Sequence, residues 1–256
     1  MTALPGAPSL AGVVDGVLFD VDDTLVDTRG AFTAAWATAA ERFLPHLGPE
    51  DLEAVVAHWR RDEGGYYAAY TRGELGYDEQ RLLRVNALHG QFGGHQLDEA
   101  GFADWNEVFE AAFQGGWAAF EDAVAAIERL SAEGIAVGVV TNARSEYQRL
   151  KLERAGLPVP EVIVGVDVFG FGKPDPRLFR EGATRLGTDP ARTAYVGDEL
   201  HVDALAATQA GLRGVWLDRP GTRGRPLGED EIEAALARGV RRIERLEELA
   251  DALGED

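Results

Sequence analysis

The sequence predicts an α/β protein in which an all-helical domain is inserted into a doubly wound parallel sheet. Short β-branched runs alternate with amphipathic helical patterns through the second half of the chain. Between Thr28 and Gln114, by contrast, helical patterns follow one another with no strand pattern between them. Alternating strands and helices are typical of parallel sheets covered by helices. A chain of 256 residues is long enough for such a core and a smaller insertion.

The predicted strands are apolar runs without the alternation of a half-exposed strand, which indicates burial on both faces. They span residues 16–19, 135–140, 162–164, 193–196 and 215–217. Glycines that follow the helical patterns mark where the intervening helices end. In the tail we expect a helix over residues 229–238, an edge strand over 240–246 and a last helix over 247–253.

The insertion is predicted as four helices, each with apolar residues every three or four positions and therefore one buried face. These patterns span residues 32–43, 52–59, 82–88 and 102–113. We assign residues 29–114 to the helical domain, residues 13–28 and 115–254 to the core domain, and residues 1–12 to a flexible N-terminal leader. The aromatic residues of the insertion are expected to form its core rather than a ligand site.

Composition and charge narrow the classes of function. A net charge of −19 disfavours binding to nucleic acid, which needs a basic face. The longest apolar runs, such as residues 135–140, fall far short of the roughly 18 residues that span a membrane. Without cysteine the chain has neither disulfides nor thiolate metal sites. We therefore expect a cytoplasmic protein that binds neither nucleic acid nor membrane, with its oligomeric state left open.

Polar residues follow three of the predicted strands at the points where the strands end. Asp20 follows the first strand, Thr141 the second, and Asp198 the strand that ends near Gly197. In an open parallel sheet the carboxyl ends of the strands meet at one edge, and ligands bind there. A single aspartate after a strand is usually only a turn former. Three such residues at one edge of a sheet indicate a site.

The charges expected at this edge indicate a bound cation. Asp20, Asp22, Asp198 and Asp203 would bring four carboxylates into a small volume. Two carboxylates about 4 Å apart repel by roughly 4 kcal/mol at an effective dielectric constant near 20. Protons or cations must relieve that repulsion, and Lys173 supplies one positive charge. An all-oxygen set of ligands favours Mg²⁺ over zinc.

Four motifs follow one another along the chain. They are Asp20-Val21-Asp22-Asp23-Thr24, Thr141-Asn142, Lys173 within Gly172-Lys173-Pro174-Asp175-Pro176, and Gly197-Asp198 with Asp203. In this order they resemble the motifs of the haloacid dehalogenase superfamily, in its phosphatase branch. The resemblance covers about residues 15–218. It implies a Rossmann-like core, and the helical insertion has the position of that family's first-type cap.

The resemblance implies a role for each motif residue. Asp20 attacks phosphorus and becomes an aspartyl-phosphate. Asp22 starts protonated, with its pKa raised by neighbouring carboxylates, and gives its proton to the leaving alcohol. Thr141 donates its hydroxyl to a phosphoryl oxygen, and the main-chain N–H groups of Asn142 and Ala143 stand where a helix start could assist.

The remaining motif residues are implied to handle charge. Lys173 offsets the charge of the nucleophile and of the phosphate. Asp198 binds Mg²⁺ together with Asp20 and the main-chain carbonyl of Asp22. Asp203 either contacts the metal ligands without binding the metal itself or forms a bond with Lys173.

Two residues depart from the family's usual pattern. Asp23 stands where many members have glycine, and Glu199 replaces a small hydroxyl residue. Glu199 could be an outer partner of the metal or an ordinary surface residue, and the sequence does not distinguish these.

The expected function is a Mg²⁺-dependent phosphatase that hydrolyses a small-molecule phosphate monoester. A dehalogenase on this fold lacks the second carboxylate, Asp22, since halide leaves without a proton. A phosphomutase is a further alternative. A receiver-type signalling domain fits poorly, because its acidic pair ends the first strand and it has no counterpart of the insertion. The ester itself is open, and the candidate contacts in the insertion are Arg60, Arg61, Tyr66, Tyr67, Tyr70, Arg72 and Arg84.

Overall fold

The structure is a computed structural model that describes residues 10–223 and 226–254. Most of the predicted leader, residues 1–9, lies outside the described residues. Leu10, at the first described position, is buried, and its N–H donates to Glu133 Oε2 at 2.8 Å. This end of the predicted leader is therefore packed rather than loose.

Contacts within the chain define two compact units. One contains the residues up to Val26 and those from Ala119 onward, and the other is Asp27–Ala118. The predicted core and helical domains change over at residues 28/29 and 114/115, a few residues away from these boundaries. None of the helices in the described part of the chain is both long and apolar enough to cross a membrane.

The first unit is built on a six-stranded parallel sheet with the strand order β3-β2-β1-β4-β5-β6. The strands are β1 (Gly16–Phe19), β2 (Ala136–Val140), β3 (Val162–Val164), β4 (Thr193–Gly197), β5 (Arg213–Leu217) and β6 (Arg241–Ile243). Every neighbouring pair is parallel, and Leu18 of β1 lies between Gly138 and Tyr195. The predicted α/β class is therefore confirmed.

The α-helices of the described residues follow in chain order. They are α1 (Thr28–Phe43), α2 (Leu52–Arg61), α3 (Tyr66–Thr71), α4 (Tyr77–Phe92), α5 (Glu99–Gly115), α6 (Glu121–Ala132), α7 (Ser145–Arg154), α8 (Pro176–Leu186), α9 (Ala206–Gln209), α10 (Glu229–Leu236) and α11 (Leu249–Gly254). A π-helix, Leu200–Leu205, runs directly into α9. Short 3₁₀ turns occupy Pro49–Asp51, Val166–Val168, Pro190–Arg192 and Leu246–Glu248.

The centre of the sheet is covered on both faces. Successive side chains of a strand point to opposite faces, yet all four residues of β1 are buried. On one face, Leu18, Val140 and Tyr195 pack in a cluster with Leu178 and Phe179 of α8. Such a sheet presents only its strand ends to a ligand, which is why the polar residues there matter.

The tail differs from the sequence prediction in the extent of its strand. The edge strand β6 ends at Ile243, so the predicted range of 240–246 is too long. Leu246 begins a 3₁₀ turn whose first N–H donates to Asp122 Oδ2 at 3.0 Å. That bond to α6 replaces further strand pairing.

The second unit consists of α1–α5 around an aromatic core, as its predicted apolar faces indicate. Trp36, Trp105 and Phe109 are at most 1% exposed, and the rings of Trp105 and Phe109 stack with centroids 4.9 Å apart. The prediction missed α3. This helix spans only six residues, and Tyr70 is its one buried residue, so its sequence shows no apolar face.

Candidate active site

Asp20 and Thr141 lie side by side in the sheet, at the carboxyl ends of β1 and β2. The N–H of Asp20 donates to Val196 O of β4 at 2.9 Å, and that of Thr141 donates to Val164 O of β3 at 2.9 Å. Each of these two main-chain bonds extends the strand pairing by one residue. Both are buried, with Asp20 7% and Thr141 1% exposed.

Lys173 joins two of the predicted carboxylates. Its Nζ lies 2.9 Å from Asp20 Oδ1 and 2.7 Å from Asp203 Oδ1, and it donates to the Tyr195 hydroxyl at 2.9 Å. Burial alone would lower the pKa of Lys173, but Asp20 and then Asp203 outweigh it and raise that pKa well above its usual value. Lys173 therefore stays charged at neutral pH.

Asn142 holds the main chain of Lys173 in place. Its Oδ1 accepts from Lys173 N at 2.6 Å, and its Nδ2 donates to Lys173 O at 3.2 Å. The Lys173–Pro174 peptide is cis. The side chain of Asn142 is therefore occupied by Lys173, and only its main-chain N–H remains for the predicted contact with phosphate.

The N–H of Ala143, predicted to assist at the phosphate, is engaged within the protein in this structure. The N–H of Ala143 donates to Thr141 Oγ1 at 3.2 Å, and α7 begins only at Ser145. The main chain turns after Thr141 and caps its hydroxyl oxygen, so this donor does not belong to a helix start.

Asp203 bonds Lys173, which is one of the two arrangements that the sequence left open. Its Oδ1 also lies 3.0 Å from the Tyr195 hydroxyl, and its Oδ2 accepts from the N–H of Glu199 at 3.0 Å. Gly197 makes room for it, because a Cβ there would lie 2.4 Å from Asp203 Cγ. The side chain of Glu199 is exposed.

The carboxylates at this edge fit a divalent cation. Oxygens of Asp20, Asp198 and Asp203 lie within 4.8 Å of one another. Burial, only partly offset by Lys173, raises the pKa of Asp20 to about 7. Burial, and then the neighbouring Asp203 and Asp20, raise the pKa of Asp198 well above its usual value. The cluster is therefore short of positive charge, and its hard oxygen donors suit Mg²⁺.

Asp22 differs from its predicted state. Its Oδ1 forms an ion pair with Lys151 Nζ, and its Oδ2 accepts from Gln148 Nε2 at 2.6 Å. Burial acts to raise the pKa of Asp22, but Lys151 and Gln148 together outweigh it and the pKa is lowered. The expectation that neighbouring carboxylates keep Asp22 protonated is therefore wrong for this structure.

Three residues of the site escaped the sequence analysis: Gln148, Lys151 and Tyr195. Gln148 and Lys151 are three positions apart on α7, and that spacing places both on one face. The available signal was composition, since the chain contains only two lysines, at positions 151 and 173. Tyr195 lies within β4, where it resembled any other buried strand residue.

Asp23 has a conformation that explains its departure from the family pattern. Its φ of 57° lies in the left-handed region, where glycine is unstrained and aspartate is among the better-tolerated residues. Its N–H donates to Val26 O at 2.8 Å and closes the loop after β1. The substitution therefore leaves the backbone of the motif intact.

In the second unit, the candidate specificity residues are largely engaged with neighbours. Arg72 bonds Glu74, and Arg61 bonds Glu63. Arg84 lies 3.9 Å over the ring of Trp59 and lines a cavity of about 130 Å³. Tyr66 lines the same cavity.

Comparison with known families gives the same class as the motifs. Residues 14–211 match the family model of the haloacid dehalogenase-like hydrolases. That match covers more than half of the chain, so the chain belongs to this family. The membership predicted from the motifs is confirmed.

Two characterised relatives illustrate the similarity. Hexitol phosphatase A of Escherichia coli is 29% identical over 205 residues, which are 80% of this chain and 83% of that protein. Phosphoserine phosphatase of Thermus thermophilus is 38% identical over 129 residues, 48% of this chain. The aligned region spans only 51% of the Thermus protein.

Solved structures share the fold over nearly the whole chain. The hydrolase YfnB of Bacillus subtilis, bound to magnesium, has a TM-score of 0.73 at 25% identity, covering 94% of this chain and 99% of that one. A family member from Deinococcus radiodurans with bound phosphate and sodium has a TM-score of 0.69 at 29% identity, covering 94% and 96%. The defluorinating L-2-haloacid dehalogenase Rha0230 has a TM-score of 0.71 at 22% identity, covering 94% and 95%. The last similarity shows the fold alone.

Proposed function

We propose that this protein is a phosphatase that hydrolyses a small phosphorylated metabolite through an aspartyl-phosphate on Asp20. One observation supports this most directly. A buried carboxylate at the end of β1 lies 2.9 Å from a buried lysine and within 4.8 Å of further carboxylates. Phosphoryl transfer needs a nucleophile, a positive charge beside it and carboxylates that can bind a metal ion, and this site contains all three.

In the first step, a carboxylate oxygen of Asp20 bonds to phosphorus and the ester P–O bond breaks. The leaving oxygen takes a proton from Asp22. Lys173 and the Thr141 hydroxyl are assigned to the phosphoryl oxygens. The main-chain N–H of Asn142 is assigned there as well.

In the second step, water attacks phosphorus and the bond to Asp20 breaks. Asp22 takes the proton of the water, and inorganic phosphate leaves. The ionised form of Asp22 in this structure is the form that the second step requires. The first step requires the protonated form, so Asp22 has to gain a proton earlier in the cycle.

A divalent metal would be held by Asp20, Asp198 and the main-chain carbonyl of Asp22. Mg²⁺ is the ion that the hard oxygen donors favour. When bound, it offsets the negative charge that the carboxylates and the phosphate bring together. The oxygens of Asp203 are both engaged by other groups, so we leave it out of the ligand set.

Dehalogenation is the less favoured reaction for this site. The dehalogenase of similar fold is below 25% identity, whereas a relative named as a phosphatase matches 80% of the chain at 29% identity. The presence of Asp22 also supports an alcohol as leaving group, because halide needs no proton. The cytoplasmic location expected from the sequence stays a prediction.

The test is turnover by the full chain on a panel of phosphorylated metabolites, an aryl phosphate and a haloacid, with Mg²⁺ present. We expect steady release of phosphate, lost in Asp20→Asn and kept in the exposed control Asp251→Asn. Asp20→Asn should retain the far-UV circular dichroism spectrum of the wild type. A stable phosphoprotein without turnover would indicate a signalling module, and halide release without phosphate release would indicate a dehalogenase.

A further inference from the structure

The two lysines of this chain both lie in the candidate active site. The sequence has 25 basic residues counted as lysine or arginine, and every one of them except Lys151 and Lys173 is arginine. Both lysine side chains are almost fully buried, at 2% and 3% exposure. An ammonium is a compact point charge, whereas a guanidinium is a broad planar fork. The proposed function uses Lys173 and leaves Lys151 without a role.

Each lysine faces one carboxylate of the first motif. Lys173 contacts Asp20 at 2.9 Å, and Lys151 forms its ion pair with Asp22. The side chain of Asp22 is 38% exposed, so part of its carboxylate remains accessible to a substrate. Lys151, which is buried, contacts the carboxylate from the protein interior. Lys151 thus determines where one oxygen of Asp22 lies.

Gln148 holds the other oxygen of Asp22 and ties it to Thr141. Its side chain is fully buried, and its Nε2 donates to Asp22 Oδ2 at 2.6 Å and to Thr141 Oγ1 at 2.9 Å. A carboxylate beside a lysine only accepts hydrogen bonds, so the amide must turn its nitrogen toward Asp22. The second hydrogen of that nitrogen then reaches Thr141, whose oxygen is the acceptor.

The hydroxyl hydrogen of Thr141 is directed as a result. Its oxygen accepts from Gln148 Nε2 and from the N–H of Ala143 at 3.2 Å. A hydroxyl oxygen has two lone pairs, and both are then in use. Among the described residues none accepts the hydrogen of this hydroxyl. It points away from both donors and is available to another acceptor, such as a phosphoryl oxygen.

The helix α7 that presents these residues is firmly attached to the unit. At its first turn, Ser145 N and Oγ both donate to Asp167 Oδ1, at 2.8 and 3.0 Å. Farther along, Leu152 is fully buried. Rigid attachment at both points lets Gln148 and Lys151 hold their partners in fixed positions.

We propose that Lys151 and Gln148 are positioning residues of the active site. Lys151 holds the Asp22 carboxyl where it can exchange a proton with the leaving oxygen, and Gln148 links that carboxyl to a preset Thr141 hydroxyl. This inference rests on the proposed function, since it assigns Asp22 and Thr141 the roles given there.

The first experiment separates positioning from a general structural effect by changing the leaving group. An aryl phosphate such as p-nitrophenyl phosphate releases a stable anion, whereas an alkyl phosphate needs a proton on its leaving oxygen. In single-turnover assays with Mg²⁺ we expect Lys151→Met to slow alcohol release at least about tenfold more for the alkyl ester than for the aryl ester. Equal losses on both esters would overturn the proposal for Lys151.

Arg149→Met is the matched control, since it also replaces a cation with methionine on α7. We expect this variant to retain the wild-type rates on both esters. Wild-type melting behaviour of each variant would exclude loss of the fold as the cause of a slower rate.

The second experiment asks whether Gln148 acts through Thr141. We expect Gln148→Met to weaken inhibition by inorganic phosphate, measured against either ester, by about threefold or more. The same change made in Thr141→Val should have no further effect on phosphate inhibition, because the hydroxyl that Gln148 directs is already gone. Independent, multiplying losses from the two changes would overturn the assignment of Gln148.

A third measurement does not depend on activity. Protein labelled with ¹⁵N at the lysine side chains should show two ammonium signals, since buried, hydrogen-bonded ammonium protons exchange slowly with water. Lys151→Met assigns one of them, and Asp22→Asn should shift or broaden that signal. No response to Asp22→Asn would overturn the inference. An intact response in a protein without phosphatase activity would instead overturn the proposed function alone.

Discussion

Raising the pH should destabilise the metal-free protein, and Asp20 should account for much of the loss. The pKa of Asp20 is about 7 in the folded chain, whereas an unfolded aspartate has a pKa of about 3.9. Between these values the folded state holds a proton that the unfolded state has released. The contribution of Asp20 to stability is therefore fully present below the unfolded pKa and is lost as the pH rises through about 7.

The size of this effect follows from the linkage relation. Each pH unit within that window removes up to about 1.4 kcal/mol of unfolding free energy. From about pH 5 to pH 7 the loss of unfolding free energy is roughly 2 kcal/mol. It is smaller than the full slope over this range would give, because Asp20 of the folded protein itself begins to ionise near the upper limit. For a chain of this size that loss lowers the Tm by about 4–8 °C. Asp198, whose pKa is also raised, acts in the same direction.

The assay is thermal unfolding followed by circular dichroism in the presence of a chelator, for wild type, Asp20→Asn and Asp251→Asn. We expect wild type and Asp251→Asn to lose stability alike as the pH rises, and Asp20→Asn to lose distinctly less. Lys173 does not contribute to this difference, since its raised pKa keeps it charged throughout the window. If Asp20→Asn lost as much stability as wild type, Asp20 would not be the buried, protonated group inferred here.

Three further predictions concern the same site. Saturating Mg²⁺ should raise the Tm near neutral pH. It should also abolish the difference in pH dependence of the Tm between wild type and Asp20→Asn. A melting curve that Mg²⁺ does not change would show that the metal does not bind at this site. Gly197→Ala should lower the unfolding free energy by about 1–3 kcal/mol and reduce phosphate release, because its Cβ would lie 2.4 Å from Asp203 Cγ. Gly115→Ala, whose Cβ would meet nothing within 4 Å, is the control in the same chemical denaturation series, and an equal loss would contradict the steric argument. Asn142→Ala should reduce phosphate release with little change in the circular dichroism spectrum, because the main chain of Lys173 loses two hydrogen bonds. Unchanged kinetics would show that Lys173 is held in place without Asn142.

The order of motifs along the chain is enough to predict that most of the site residues lie together. Asp20, Thr141 and Asp198 each follow a short buried run, and parallel strands place such ends at one edge of a sheet. The strands themselves were predicted to within two residues at nearly every end. Helix α3 was missed because it has a single buried residue, Tyr70, and therefore no apolar face to recognise.

The state of Asp22 could not be predicted in the same way. Its partner Lys151 is 129 residues away, on a helix whose buried face contains Gln148 and Lys151 beside Leu152. Periodicity identifies apolar faces, so a polar buried face leaves no pattern. Counting only the carboxylates of the motifs gave the wrong direction for the pKa of Asp22.

The sequence by itself determined the α/β class, the family and the carboxylates of the first and last motifs, because these depend on local patterns and on the order of strands. Tertiary structure alone decided which cation faces which carboxylate: Lys173 for Asp20 and Asp203, and Lys151 for Asp22. The physical reason is the short range of these forces. A protonation state follows from burial and from charges a few ångströms away, and those neighbours come from distant parts of the chain.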